Sequence, residues 1–121
     1  MTAALEGLRV LVVEDEAMIA MLIEDMLTDF GCAMLGPAAD MTRALAMIEE
    51  ARFDLAILDV NLGGERTMSI AGVLRSKGIP FVFATGYGVS GINDEFKDQP
   101  VLTKPFKDAD LRAALRSSIA K

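Results

Sequence analysis

Five short apolar runs, spread along 121 residues, constrain the fold more than any other feature of the sequence. They are Arg9–Val13, Ala33–Gly36, Leu55–Leu58, Phe81–Ala84 and Val101–Leu102. Little alternation of polar and apolar residues occurs within them, which is typical of strands covered on both faces. The sequence therefore predicts five buried strands in one sheet.

Segments with a helical period separate these runs. The first helix is predicted from apolar residues that recur between Ile19 and Phe30, and the others are predicted over Met41 to Ala51, Glu65 to Lys77 and Asp108 to Ile119. Gly31 fits a left-handed C-cap of the first, and Asp40 and Asp108 fit N-caps of the second and last. Strand and helix in regular alternation favour an α/β fold, a parallel sheet with helices on both faces.

The helical pattern is weaker in the segment between the fourth and fifth predicted strands. Residues 86–99 contain three glycines and few periodic apolar residues, so a short helix or an irregular loop is expected there. The first helix has an apolar stripe that includes Leu22 and Ile23, whereas Met18 and Met21 are expected beside it, where they could contact a partner. The second predicted helix has Leu45 and Ile48 on one face.

Composition excludes several kinds of site. The chain has no histidine and one cysteine, Cys32, so imidazole and thiolate metal sites, Ser-His-Asp triads and a disulfide framework cannot form within it. A net charge of −6 argues against binding to nucleic acid or anionic lipid. The longest uncharged stretch, residues 78–93, is too short and too rich in glycine to span a membrane. We therefore expect a cytoplasmic protein.

Charged and polar side chains follow the predicted strands. Glu14 and Asp15 come after the first, Asp59 after the third, Thr85 after the fourth and Lys104 after the fifth. The carboxyl ends of parallel strands meet at one edge of a sheet, where open α/β sheets form their sites. We therefore expect these side chains to lie together.

This set of side chains favours one chemistry. Carboxylates that converge repel one another unless a cation or a proton lies among them, and oxygen ligands suit Mg²⁺ or Mn²⁺. A lysine and a hydroxyl opposite them donate to an anion. Together they would hold a phosphoryl group against a carboxylate nucleophile. Each residue alone also has a structural explanation, as a cap, a strand end or a solvated charge.

The segments that carry this set resemble a known family. They are Val12–Glu16, Leu58–Leu62, Ala84–Gly86 and Thr103–Phe106. In this order they resemble the receiver domain of bacterial two-component response regulators, over about Leu8 to Ile119. The resemblance implies a flavodoxin-like, doubly wound (βα)5 fold with strand order 2-1-3-4-5. We expect a single receiver over residues 1–121 with no output domain.

The resemblance also implies residue roles for the acidic half of the site. Asp59 corresponds to the phosphoacceptor, and Glu14 and Asp15 to the acidic pair that binds Mg²⁺. Asp59 itself and the backbone carbonyl of Asn61 would complete the protein ligands of the metal. The expected donor is a sensor histidine kinase or a histidine phosphotransferase, and a downstream protein would bind the phosphorylated form.

The remaining roles concern anion binding and switching. Thr85, followed by Gly86, and Lys104 would each bond a phosphoryl oxygen, and the Lys104–Pro105 peptide is expected to be cis. Receivers usually place an aromatic residue where this chain has Val101. We therefore predict that Tyr87 transmits the signal instead; the alternative is that Tyr87 only anchors its loop.

Residues 83–87 resemble a motif, called FAT GUY, of a receiver subgroup that is often single-domain. That subgroup is associated with general stress response pathways in alphaproteobacteria. The resemblance thus implies a stand-alone switch in such a pathway, with no enzyme activity beyond its own phosphorylation and dephosphorylation.

Other functions remain as alternatives. A small phosphohydrolase of the aspartyl-phosphate type needs a second aspartate two residues after the nucleophile, where this chain has Asn61. A receiver that works without phosphorylation would not need the complete set of site residues. Gly86 to Gly91 matches the G-x-G-x-x-G pattern of nucleotide binding, but it follows the fourth predicted strand rather than the first.

Overall fold

A five-stranded parallel sheet with helices on both faces forms the protein, which the computed structural model describes over residues 5–86 and 91–120. In chain order the elements are β1 (Arg9–Val13), α1 (Ala17–Asp29), β2 (Ala33–Ala38), α2 (Met41–Glu50), β3 (Leu55–Asp59), β4 (Asn61–Leu62), β5 (Glu65–Arg66), α3 (Met68–Ser76), β6 (Phe81–Thr85), β7 (Val101–Thr103) and α4 (Asp108–Ile119). The sheet has the order β2-β1-β3-β6-β7. The predicted architecture and strand order are therefore confirmed.

The middle strands are the most apolar ones. Every residue of β3 and β6 is buried, as expected for strands covered on both faces. β3 pairs with β1 on one side and with β6 on the other. In that register Asp59 lies beside Ala84, and Thr85 lies beside Thr103 of β7. The strand ends that carry the predicted site thus meet at one edge.

Each face of the sheet has its own hydrophobic core. On one face α1 and α4 contribute Ile23, Leu27, Leu111 and Leu115 to a buried cluster with β1 and β6. On the other face α2 and α3 contribute residues such as Ile48 to a cluster with β3 and β6. Burial of these side chains against the sheet holds the strand ends in register.

Two helix starts differ from the sequence-based expectation. The third helix starts at Met68 rather than Glu65, because a β4–β5 hairpin comes first, with Gly63 and Gly64 both at positive φ in its turn. Asp108 is the first residue of α4 and not its N-cap. The N-cap is Lys107, whose N–H donates to the carboxylate of Asp110 at 3.3 Å.

Two side chains on the predicted apolar faces of the helices are exposed. Leu22 is 55% exposed and Leu45 is 36% exposed, because the buried lines of α1 and α2 run through other residues, among them Ile23 and Ile48. Successive helical residues lie about 100° apart, so Leu22 points away from the line that Ile23 occupies. Together with Met18 and Met21 it leaves an exposed apolar strip on α1.

The expected irregular segment is present where the structure describes it. Between residues 91 and 100, the helical structure is a single 3₁₀ turn, Asp94–Phe96. Phe96 is buried and packs edge-on against Phe81 and Phe83. None of the helices among the described residues is long and apolar enough to cross a membrane.

Candidate metal and anion site

Lys104 bridges two buried carboxylates at the carboxyl edge of the sheet. Its Nζ lies 2.8 Å from Glu14 Oε1 and 3.3 Å from Asp59 Oδ2. Glu14 is 2% exposed and Asp59 is 5% exposed. These residues follow or end β1, β3 and β7, which lie in the middle and at one margin of the sheet. Glu14, Asp59 and Lys104 thus lie together, as predicted from the sequence.

Burial dominates the electrostatics of the two acids. It raises the pKa of Glu14 to about 7, with the negative charge of Asp59 adding to the shift and Lys104 opposing it. Burial also raises the pKa of Asp59, against the charge of Lys104 and a hydrogen bond from the N–H of Asn61. Burial lowers the pKa of Lys104, but its bond to Glu14 and the charge of Asp59 outweigh that, and the pKa is raised.

Three carboxylates are close enough to bind one cation. Oxygens of Glu14, Asp15 and Asp59 all lie within 4.8 Å of one another. Asp15 is exposed, and its Oδ2 accepts a hydrogen bond of 2.9 Å from the N–H of Gly63. The donor set contains only oxygen, which fits a hard divalent ion such as Mg²⁺ better than a softer metal. The residues present therefore fit the expected metal.

A cavity of about 590 Å³ opens beside these carboxylates. Its lining includes Asp15, Asp59, Asn61, Thr85, Gly86, Arg66 and Lys104. Thr85 is 2% exposed, and its carbonyl accepts a hydrogen bond of 2.7 Å from the N–H of Lys104. A phosphoryl group held in this cavity would therefore have hydroxyl and ammonium groups along its walls.

The accessory residues have mixed outcomes. The Lys104–Pro105 peptide is cis, as expected. Val101, at the position of the usual aromatic, is half-buried against the core on the α2–α3 face. Tyr87 lies outside the described residues, and so does most of the glycine-rich motif, residues 87–90. The predicted role of Tyr87 therefore stays a prediction.

Sequence reasoning missed two residues beside the site. Thr67 is completely buried, and its hydroxyl donates to the carbonyl of Asp59 at 2.6 Å. Arg66 lines the cavity, and its Nη2 donates to Asn93 Oδ1 at 2.8 Å. No motif marks either residue, because their position depends on the hairpin that precedes α3. The only sequence signal for Arg66 and Thr67 is that they are polar residues shortly after the Gly63–Gly64 turn.

Comparison with solved structures finds close likeness over the whole chain. The solution structure of SdrG from Sphingomonas melonis Fr1 is 42% identical with a TM-score of 0.85, and the match covers 97% of this chain and 98% of that one. The BeF₃-activated conformation of SdrG from Pseudomonas melonis Fr1 is 40% identical with a TM-score of 0.78, covering 100% of both chains. The receiver domain of the histidine kinase PA1611 from Pseudomonas aeruginosa PAO1, solved with a magnesium ion in its active site cleft, is 25% identical with a TM-score of 0.77, covering 95% and 99%.

Sequence comparison finds regulatory proteins and identifies a family. The transcriptional regulatory protein PdtaR of Mycobacterium tuberculosis is 32% identical over 117 residues, which cover 93% of this chain and 57% of PdtaR. The chain thus spans about half the length of the curated relatives it matches. Residues 10–116 match the family of response regulator receiver domains. Since that span holds the carboxylates, the lysine and the cavity, the chain belongs to this family and is a phosphoacceptor domain of two-component signalling.

Proposed function

We propose that Asp59 is the phosphoacceptor and that Mg²⁺ binds to Glu14, Asp15, Asp59 and the carbonyl of Asn61. The observation that carries this proposal is the position of Lys104 Nζ, between Asp59 Oδ2 and Glu14 Oε1, at the wall of a cavity that Asp59 also lines. A cation already in place beside a carboxylate is arranged to receive the charge of a phosphoryl group.

The transfer forms one bond and breaks one. An oxygen of Asp59 forms a P–O bond while the P–N bond of a phosphohistidine breaks, and the departing imidazole nitrogen keeps the electron pair and takes a proton from water. Bound Mg²⁺ would neutralise charge on the phosphoryl oxygens. Lys104 and the hydroxyl of Thr85 each donate to a phosphoryl oxygen. The ammonium of Lys104 thus exchanges its contact with the Asp59 carboxylate for one with the phosphoryl group on Asp59.

We further propose that the chain acts as a single receiver in the cytoplasm, with a histidine kinase or a histidine phosphotransferase as donor and a protein as the downstream partner. The motif at residues 83–87 supports a general stress response pathway. Intact mass of the native protein, together with phosphotransfer from candidate kinases scored at short times, tests these points.

The phosphoacceptor is tested with acetyl phosphate and Mg²⁺. We expect intact mass to rise by one phosphoryl group in the wild type and in Asp25→Asn, a control on the exposed side of α1, but not in Asp59→Asn or after chelation by EDTA. A phosphoryl group on another carboxylate would contradict the assignment. Sustained turnover of p-nitrophenyl phosphate, instead of one slowly decaying acyl phosphate, would favour a phosphohydrolase.

A further inference from the structure

Two arginines hold the segment of residues 91–99, one at each end. Near the cavity, Nη2 of Arg66 donates to Asn93 Oδ1 at 2.8 Å. Farther from it, Arg75 of α3 donates to the carbonyl of Glu95 and pairs with Asp98 at 2.8 Å. The guanidinium of Arg75 also lies 4.8 Å from the centre of the Phe96 ring. The segment therefore has two separate arginine contacts with the body of the protein, in addition to the burial of Ile92 and a hydrogen bond of 3.4 Å from the N–H of Asn93 to Met68 Sδ.

The two attachments differ in charge. Arg75 already has a carboxylate partner, and it is absent from the lining of the cavity. The partner of Arg66 is the amide oxygen of Asn93, which carries no net charge. A hydrogen bond between a guanidinium and an anionic oxygen is roughly twice as strong as one between neutral groups. An anion in the cavity thus competes for Arg66 and not for Arg75.

Arg66 is well placed for that competition. Among the described residues, Arg66 and Lys104 are the two basic side chains that line the cavity. Arg66 pairs with Asn61 across the β4–β5 hairpin, and the N–H of Asn61 donates to Asp59 Oδ1 at 3.2 Å. The next residue, Thr67, is bonded to the carbonyl of Asp59. The backbone of Arg66 is thereby held at the acceptor, while its exposed side chain can turn.

We propose that Arg66 is a second phosphoryl-binding residue and that it reports phosphorylation to residues 91–99. When a phosphoryl group is attached to Asp59, the guanidinium leaves Asn93 and donates to a phosphoryl oxygen. This removes the arginine contact from the side chain of Asn93, while Ile92, Phe96 and Arg75 keep the rest of the segment in place. The inference deepens the proposed function, because it rests on Asp59 as the acceptor.

Beryllofluoride with Mg²⁺, an analogue of the bound phosphoryl group, tests this in the intact chain. We expect Arg66→Gln to lower the affinity for beryllofluoride by about tenfold, the scale of one hydrogen bond to a charged group. Arg66→Lys, which keeps the charge, should recover part of the loss. Arg75→Gln is the matched control. It should lower the melting temperature and leave beryllofluoride affinity unchanged.

Amide NMR spectra provide a readout that a purely structural role would not move. In the wild type and in Arg75→Gln, beryllofluoride should shift the resonances of Asn93 and its neighbours. In Arg66→Gln those resonances should already be displaced without ligand and should change little on its addition. Unchanged affinity together with a wild-type shift at Asn93 in Arg66→Gln would overturn the proposal for Arg66 alone. If the wild type takes no phosphoryl group on Asp59, the proposed function and this inference are both wrong.

Discussion

At the scale of single residues, Lys104 offsets the negative charges of the two buried acids in the site. Its ammonium pairs with Glu14 and with Asp59, and both acids are buried. A buried charge that loses its partner is costly, because no water replaces the lost interaction. The same ammonium therefore has a structural role in the site, beside the chemical role that we propose for it.

Removal of that ammonium should destabilise the metal-free protein. We expect Lys104→Ala to lower the free energy of unfolding by roughly 3 kcal/mol in urea titrations near neutral pH. Saturating Mg²⁺ should restore part of the loss, because it supplies another cation. Lys77→Ala, which removes the exposed pair with Glu49, is the control and should have little effect. Equal effects of the two substitutions would contradict the role of Lys104.

The raised pKa of Glu14 predicts a pH dependence. In the unfolded chain this carboxyl titrates near 4.5, and in the folded, metal-free protein its pKa is about 7. Between these values the folded state holds a proton that the unfolded state has lost, so the free energy of unfolding falls as pH rises through this window. The raised pKa of Asp59 acts in the same direction. Urea titrations in EDTA from about pH 5 to about pH 8 measure the slope.

Glu14→Gln is the control for this slope. Because glutamine does not titrate, the decline between the two pKa values should become shallower in the variant, although Asp59 still contributes. In the wild type, Mg²⁺ binding near neutral pH should release a proton, which calorimetry in buffers of different ionisation enthalpy detects. A slope that Glu14→Gln leaves unaltered would show that another group titrates.

At the scale of elements, the β4–β5 hairpin connects β3 to α3. The hydroxyl of Thr67 donates to the carbonyl of Asp59, and its N–H donates to the carbonyl of Val60. The turn at Gly63 and Gly64 lets the chain reverse so that Thr67 reaches back to the end of β3. The hairpin thus fixes the backbone at Asp59.

Thr67→Val removes the hydroxyl and keeps the shape of the side chain. It leaves the carbonyl of Asp59 without this buried donor, so we expect a loss of about 1–3 kcal/mol in unfolding free energy and slower phosphorylation by acetyl phosphate. Thr28→Val is the matched control, since the hydroxyl of Thr28 also donates to a carbonyl but is exposed on α1. Equal rates and stabilities for both variants would show that the bond at Asp59 has no special role.

At the scale of the whole molecule, we expect charge repulsion in the site to destabilise the folded protein when no metal is bound. Three carboxylates converge on one edge with Lys104 as the cation between two of them. We expect Mg²⁺ to bind only the folded arrangement, so it should raise the melting temperature by mass action. The expected rise is about 10 °C when Mg²⁺ is about a hundred times above its dissociation constant.

Asp15→Asn separates repulsion from metal binding. It removes one negative charge from the cluster and weakens one ligand, so we expect a higher melting temperature without Mg²⁺ and a smaller rise with it. Thermal denaturation at several Mg²⁺ concentrations measures both effects. A variant that binds Mg²⁺ as tightly as the wild type would show that Asp15 is not a ligand.

Most elements could be predicted because their signals are local. An unbroken apolar run predicts a buried strand such as β3, and Asp40 accepts from the N–H of Arg43 as an N-cap should. The errors are local signals that a competing interaction overrides. Glu65 fits a helix, but the glycine turn before it closes a hairpin, and Leu22 fits an apolar stripe that the sheet does not cover.

The sequence by itself determines which side chains stand at the strand ends, because the length and polarity of each strand follow from a short run of neighbouring residues. The order of its motifs also identifies the family. The contacts among those side chains depend on packing between residues far apart in the chain. Lys104 and Asp59 are 45 residues apart, and the register of β3, β6 and β7 brings them together. The raised pKa of Glu14, the bond from Thr67 and the contact of Arg66 with Asn93 likewise exist only after folding, because burial and hydrogen bonding across the sheet edge depend on the assembled core.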